Sequence, residues 1–136
     1  MAILLDEKVR VLVQGITGRA GSGATRYMLE YGTNVVAGVT PGRGGEKVWG
    51  VPVYNTVKEA IENHGPIEAS ITFVPGPKVK NAVFEAIDAG IKFIVMPVER
   101  VPLHDILEMI NYAKKHNVKI LGPGSFGIIS PGKAVA

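Results

Sequence analysis

Glycines stand at positions 15, 18 and 21, directly after the apolar run Val11-Leu12-Val13-Gln14 and directly before a segment of helical character. That spacing describes a strand, a tight turn and a helix N-terminus. Such a turn presents backbone N–H groups and the positive end of a helix dipole to an anion. A second glycine cluster, Thr40-Pro41-Gly42-Arg43-Gly44-Gly45, sets an arginine between glycines. The planar guanidinium can donate two parallel bonds to phosphate oxygens, and the bare backbone beside it lets a ligand come close. The chemistry expected here is the holding of a phosphate-bearing ligand.

Bond-making chemistry is not expected. The chain has no cysteine, which excludes both a disulfide framework and a thiol nucleophile. Of the three histidines, His64 precedes the helix-ending Gly65-Pro66, His116 falls in the last turn of its helix, and His104 follows Pro102 on a first turn. All read as helix-terminus or surface residues. The carboxylates Glu59, Glu62, Glu85, Asp88, Asp105 and Glu108 read as solvated outer faces of helices. There is no P-loop lysine motif, metal-ligand cluster or Ser/His/Asp arrangement, so no catalytic residue and no metal ligand is expected.

The ligand's ribose can be read from the end of the second strand and the loop after it. A dinucleotide fold usually places an acid there to hold free ribose hydroxyls. The window Val35-Val36-Ala37-Gly38-Val39-Thr40 has none, and Arg43 comes three residues later. This favours a ribose that bears a phosphate, as in NADP or coenzyme A. The strand ends Phe73-Val74-Pro75-Gly76-Pro77 and Met96-Pro97-Val98 are apolar and proline-stiffened. They suit walls for an adenine or a pantetheine arm.

The elements that must position these residues alternate in type. Strands are expected over 8–13, 34–39, 69–74, 93–96 and 118–121, with a short extended piece at 51–54 and a last strand at 127–130. Helices are expected over 24–31, 57–63, 79–89 and 103–116. The helix at 103–116 is read with Ile106, Leu107, Ile110 and Ala113 facing inward, and residues 40–50 as a glycine-rich loop. Alternation of this kind predicts an α/β fold: a Rossmann-like, doubly wound, mostly parallel sheet with helices on both faces. In such a sheet ligands bind beyond the carboxyl ends of the strands, where the unusual Gly, Pro and polar residues of this chain are concentrated.

The bulk numbers agree. A chain of 136 residues with 46% hydrophobic and 20% charged content fits one globular domain. We read residues 1–130 as that domain and 131–136 as a tail or the start of a linker. A net charge of +3, spread along the chain, does not point to nucleic acid. No apolar run reaches the roughly 20 residues of a membrane span, and no signal-peptide pattern opens the chain. The expected address is the cytoplasm.

Several stretches resemble one family. Gln14-Gly15-Ile16-Thr17-Gly18, Tyr31-Gly32-Thr33, Gly38-Val39-Thr40-Pro41-Gly42-Arg43-Gly44-Gly45, Gly50-Val51-Pro52-Val53-Tyr54-Asn55-Thr56-Val57 and Glu85-Ala86-Ile87-Asp88-Ala89-Gly90 are similar to the α-subunit of succinyl-CoA synthetase. So is Ile129-Ser130-Pro131-Gly132, and the resemblance runs along essentially the whole chain. It implies the N-terminal CoA-binding domain of that family, a ligase, with coenzyme A as the ligand. By position it assigns CoA contacts to the first turn (Gly15, Thr17, Gly18, Arg19, Ala20, Gly21) and to the second loop (Thr40, Pro41, Arg43). The walls are Phe73, Val74 and Pro75, then Met96, Pro97, Val98 and Glu99.

The departures concern reaction more than ligand. Gly122-Pro123-Gly124-Ser125-Phe126-Gly127 stands where the family has Gly-Pro-Asn-Cys-Pro-Gly, and Val98-Glu99-Arg100 where it has Thr-Glu-Gly. The family's polar pair after Gly18 is Arg19-Ala20 here, and its lysine in the second loop is Arg43. The family's phosphorylated histidine lies in a second half that this sequence does not include. The resemblance therefore implies a CoA or acyl-CoA holder that works with a ligase partner subunit or domain, or as a homo-oligomer. An NADP-binding module of a reductase and a non-catalytic regulatory partner are the alternatives.

Overall fold

The computed structural model describes residues 9–97 and 100–121. Within them the chain runs β1 (Val11–Gln14), α1 (Arg19–Glu30), β2 (Val35–Val39), β3 (Lys47–Val48), β4 (Val51–Tyr54) and α2 (Val57–His64). It continues with β5 (Ala69–Thr72), a 3-10 turn (Gly76–Lys78), α3 (Val79–Asp88), β6 (Phe93–Val95), α4 (Leu103–Lys115) and β7 (Lys119–Leu121). The strands form one seven-stranded sheet in the order β3-β4-β2-β1-β5-β6-β7. Every pairing is parallel except the β3–β4 hairpin. This is the α/β Rossmann-like arrangement expected from the alternation.

Two apolar layers sandwich the sheet. Strand side chains alternate between them, as the two-residue period requires. Leu12, Ala37, Val39 and Ile94 join α2, α3 and α4 through Val57, Ala60, Val83, Ala86 and Met109. Val11, Val13, Val35, Ile71 and Val95 form the opposite layer with Met28 of α1. Each Val, Leu, Ile or Met among them stabilises the fold by roughly 1.5–3 kcal/mol when taken out of water, before entropy is counted.

The sheet's register sets the functional edge. Gln14, the last residue of β1, lies level with Val39 of β2 on one side and Thr72 of β5 on the other. The next backbone bonds continue the ladder: Gly15 N–H donates to the Val39 carbonyl at 2.8 Å and Phe73 N–H to the Gln14 carbonyl at 2.8 Å. Three strands therefore end together. β1 connects to β2 in one direction while the chain later crosses to β5 in the other, so this is where the winding reverses.

Some boundaries differ from expectation, for physical reasons. α1 begins at Arg19 and not at 24, because the turn is shorter than its glycines suggest; Gly21 is buried in the first helical turn. Two residues of the glycine-rich loop form β3, paired with β4 through a two-residue turn in which Trp49 (φ +53°) and Gly50 (φ +84°) are both left-handed. The third correction is on α4, where Leu107 and Ile110 are exposed and Met109 and Ala113 are buried. The apolar residues of α4 cover a wide arc, and the sheet takes one side of it. The strand expected at 127–130 and the tail at 131–136 lie outside the described residues.

Candidate functional site

Just beyond the level strand ends lies a cleft of about 550 Å³. Its walls come from four segments: Gly15 and Gly18 after β1, Thr40 and Pro41 after β2, Phe73, Val74 and Pro75 after β5, and the cleft-facing side of α3. Val39 and Gln14 form part of its lining at the strand ends.

The turn after β1 is tight by steric necessity. Gly15 has a φ of +81°, and a Cβ there would stand 2.3 Å from the Phe73 carbonyl oxygen. A Cβ on Gly21 would stand 2.2 Å from the Gly15 carbonyl oxygen. These two glycines let the helix start directly on the strand end. Gly18 is different. Its backbone (φ −73°, ψ 166°) suits any residue, and a Cβ would meet only the Gly15 oxygen at 3.4 Å. The fold itself does not need a glycine at this position, yet it lines the cleft.

The helix after this turn is left bare at its start. α1 has no side-chain cap and no acidic residue in its first turn. The contrast with α2 is clear. There the Thr56 hydroxyl accepts from Glu59 N–H at 3.1 Å, and a Glu85 carboxylate oxygen accepts from Val57 N–H at 2.7 Å. One helix has its first N–H groups satisfied from within; the other offers its own at the cleft.

Hydrogen bonds hold the walls. Gln14 is 2% exposed. Its amide nitrogen donates to the Ala82 carbonyl of α3 at 2.9 Å, and its amide oxygen accepts from the Thr72 hydroxyl at 3.1 Å. The Thr17 hydroxyl bonds that of Thr40 at 3.1 Å. In the second loop, Asn55 Oδ1 accepts from the N–H groups of Gly42 and Gly44 at 2.8 and 3.0 Å. Those amides, which the sequence offers to a phosphate, are occupied by this side chain.

The expected site residues divide into groups. Gly15, Gly18, Thr40, Pro41, Phe73, Val74 and Pro75 line the cleft together. Thr17 is not part of the lining and bonds Thr40, which is. Arg19, Ala20 and Gly21 make the first turn of α1. Arg43 is exposed outside the cleft lining, where its Nε and Nη2 donate to the Glu46 carboxylate at 2.5 and 3.0 Å. That contact raises the guanidinium pKa and holds the Glu46 carboxyl below its usual range. Met96 is buried in the core and Pro97 half-buried beside it. Val98 and Glu99 lie outside the described residues.

Four polar residues of the cleft are not among the contacts expected from sequence: Gln14, Lys78, Asn81 and Glu85. Glu85 and Asn81 also border a more open hollow between α2 and α3 with Lys58, Phe84 and Asp88. Asp105 and Glu108 are not simply solvated either; both reach Lys80 of α3, at 3.6 and 3.4 Å. The histidines behave as helix-end and surface groups. His64 closes α2 against the Tyr54 hydroxyl at 2.8 Å, His104 pairs with Glu108 at 2.9 Å, and the His116 ring rests on Tyr112. Among the described residues no group of His, Asp and Glu could hold a metal ion, and no helix is long and apolar enough to cross a membrane.

Comparison with known proteins bears on the ligand. The sequence profile described as "CoA binding domain" matches residues 6–99. The chain is 53% identical over 133 residues to the ADP-forming succinate–CoA ligase subunit alpha 2 of Archaeoglobus fulgidus, covering 98% of this chain and 46% of that one. It is 46% identical over 139 residues to the malate–CoA ligase subunit alpha of Methylorubrum extorquens, covering 99% and 47%. It thus spans less than half the length of these relatives. In fold it matches the ATP citrate lyase of Methanothrix soehngenii solved in complex with citrate and coenzyme A. The TM-score there is 0.85 at 21% identity, over 96% of this chain and 23% of that one.

Proposed function

The chain belongs to the CoA-binding domain family, and on that premise we propose that the cleft beyond β1, β2 and β5 holds coenzyme A for an acyl-CoA ligase. The turn at residues 15–21 and the uncapped start of α1 take the pyrophosphate. The apolar wall of Phe73, Val74 and Pro75 packs against the uncharged parts of the ligand. Pro97, half-buried just after β6, is a further contact in this reading.

One observation carries this reading. Gly18 lies on the cleft at the N-terminus of α1, and nothing in the fold requires a glycine there. A missing side chain beside unspent N–H groups is what an approaching pyrophosphate needs.

In this reading the chain binds and orients, and other parts of the ligase supply the reaction. Coenzyme A is held so that its thiol attacks an acyl phosphate formed elsewhere, making the thioester and releasing phosphate. The relatives that support a ligase subunit act on different acids, succinate and malate by name, so the proposal leaves the acid to a partner subunit or domain. The cytoplasm is the address it implies.

Titration calorimetry tests the ligand. Coenzyme A is expected to bind and NADPH to give no heat. NADPH binding without CoA binding at millimolar ligand would reverse the assignment.

A further inference from the structure

On the reading that the cleft holds coenzyme A and that Arg43 meets its ribose phosphate, we infer that Asn55 is the positioning residue that aims Arg43. Through Arg43 it sets the preference for a phosphorylated ribose. Asn55 follows β4 and precedes Thr56, the cap of α2. Its Oδ1 accepts from the N–H groups of Gly42 and Gly44, the residues on either side of Arg43, at 2.8 and 3.0 Å.

The rest of the loop is built around that grip. Thr40 N–H donates to the Tyr54 carbonyl and Gly45 N–H to the Val53 carbonyl, both at 3.0 Å, so β4 holds the loop at both ends. Two turns meet at Arg43. Its N–H donates to the Thr40 carbonyl at 3.0 Å, and its carbonyl accepts from Glu46 N–H at 3.3 Å. Gly42 (φ +85°) and Gly45 (φ +97°) supply the left-handed residue of each turn. Gly44 is not left-handed, and a Cβ there would stand 2.7 Å from Asn55 Nδ2 and 2.9 Å from its Cγ. Its bare backbone is what the Asn55 carboxamide requires. Glycines on both sides of Arg43 make this stretch costly to order. Asn55 orders it before a ligand arrives, so that cost does not fall on binding. The Arg43–Glu46 pair is exposed, where ion pairs are worth little, so the guanidinium can exchange a carboxylate for a phosphate.

Calorimetric titration of the full chain with CoA and with dephospho-CoA, which lacks only the ribose phosphate, tests the assignment. Wild type is expected to prefer CoA about tenfold or more, and Arg43→Ala to lose that preference. Asn55→Ala should cut the preference about three- to tenfold with Arg43 in place, and should change it no further in the Arg43→Ala background. Gly44→Ala, whose Cβ displaces the Asn55 carboxamide, should act as Asn55→Ala does. Dephospho-CoA affinity should stay within about twofold in every variant, which shows the cleft intact and the protein folded. An undiminished preference in Asn55→Ala, an equal loss of both ligands, or a further loss in the Arg43→Ala background overturns the inference. So does a wild type that binds both ligands alike. Failure of wild type to bind CoA overturns the ligand assignment instead, and Asn55 is then judged without ligand. There Asn55→Ala must raise the Glu46 carboxyl midpoint, read by NMR, towards its ordinary 4.5, as loss of Arg43 does. An unmoved midpoint overturns the inference.

Discussion

The Thr17 hydroxyl lies 3.1 Å from the Thr40 hydroxyl, and the backbone N–H of Thr17 points at the same Thr40 oxygen from 3.4 Å. This contact joins the turn after β1 to the loop after β2, the two segments that flank the glycine side of the cleft. Thr40→Val keeps the shape and removes the oxygen. It is expected to cost about 0.5–1.5 kcal/mol in denaturant unfolding and to weaken CoA binding several-fold. Unchanged affinity would mean that the two loops do not need one another.

Gly15 and Gly18 make a paired experiment. Gly15→Ala sets a Cβ 2.3 Å from the Phe73 carbonyl oxygen at a left-handed backbone. Strain and overpacking together should cost about 2–5 kcal/mol of stability. Gly18→Ala meets only an ordinary contact, so the melting temperature should hold while CoA binding falls. A Gly18→Ala protein that binds as well as wild type would remove the main support for the proposed pyrophosphate position.

Glu85 reaches from α3 to the first N–H of α2 at 2.7 Å. Glu85→Ala strands that donor in a part-buried place and should cost about 1–3 kcal/mol by chemical denaturation. Glu85→Gln keeps an acceptor and should cost less. Equal losses in the two variants would show that the hydrogen bond is not what joins the helices.

The Arg43–Glu46 pair has a defined pH signature. The Arg43 hydrogen bonds hold the Glu46 carboxyl below its ordinary value of 4.5 in the folded chain. Its contribution is therefore fully present above about 4.5 and is lost as the pH falls through the lower, folded value. An NMR titration of the Glu46 carboxyl carbon should show a midpoint below 4.5 in wild type and a higher one in Arg43→Ala. The same midpoint in both proteins would mean that the pair is open in solution.

Much of the fold is legible in the sequence because periodicity reports burial. The β-α alternation, the parallel sheet and the inner stripe of α3 at Val79, Val83, Ala86 and Ile87 all stem from it. The cleft walls at Gly15, Gly18, Thr40, Pro41 and Phe73 through Pro75 are legible because turns announce themselves in glycine and proline. Lys78, Asn81 and Glu85 are not. They lie beside the inner stripe of α3, and a polar residue there looks solvated until the loops after β1 and β2 are set across from it. The inward face of α4 is hidden for a related reason. Leu103, Leu107 and Ile110 are as apolar as Met109 and Ala113, and only the docking of the helix decides which of them is covered.

Gln14 has a kinetic consequence. Its amide is held by Ala82 on one side and Thr72 on the other, deep beneath the cleft. The wall formed by α3 is thereby assembled before any ligand arrives, and no slow closing step is built into this part of the site. Stopped-flow association should accordingly be a single exponential whose rate climbs linearly with ligand concentration and does not level off. Cutting the tether with Gln14→Leu would introduce a wandering wall, and the plateau of a gated reaction should then appear.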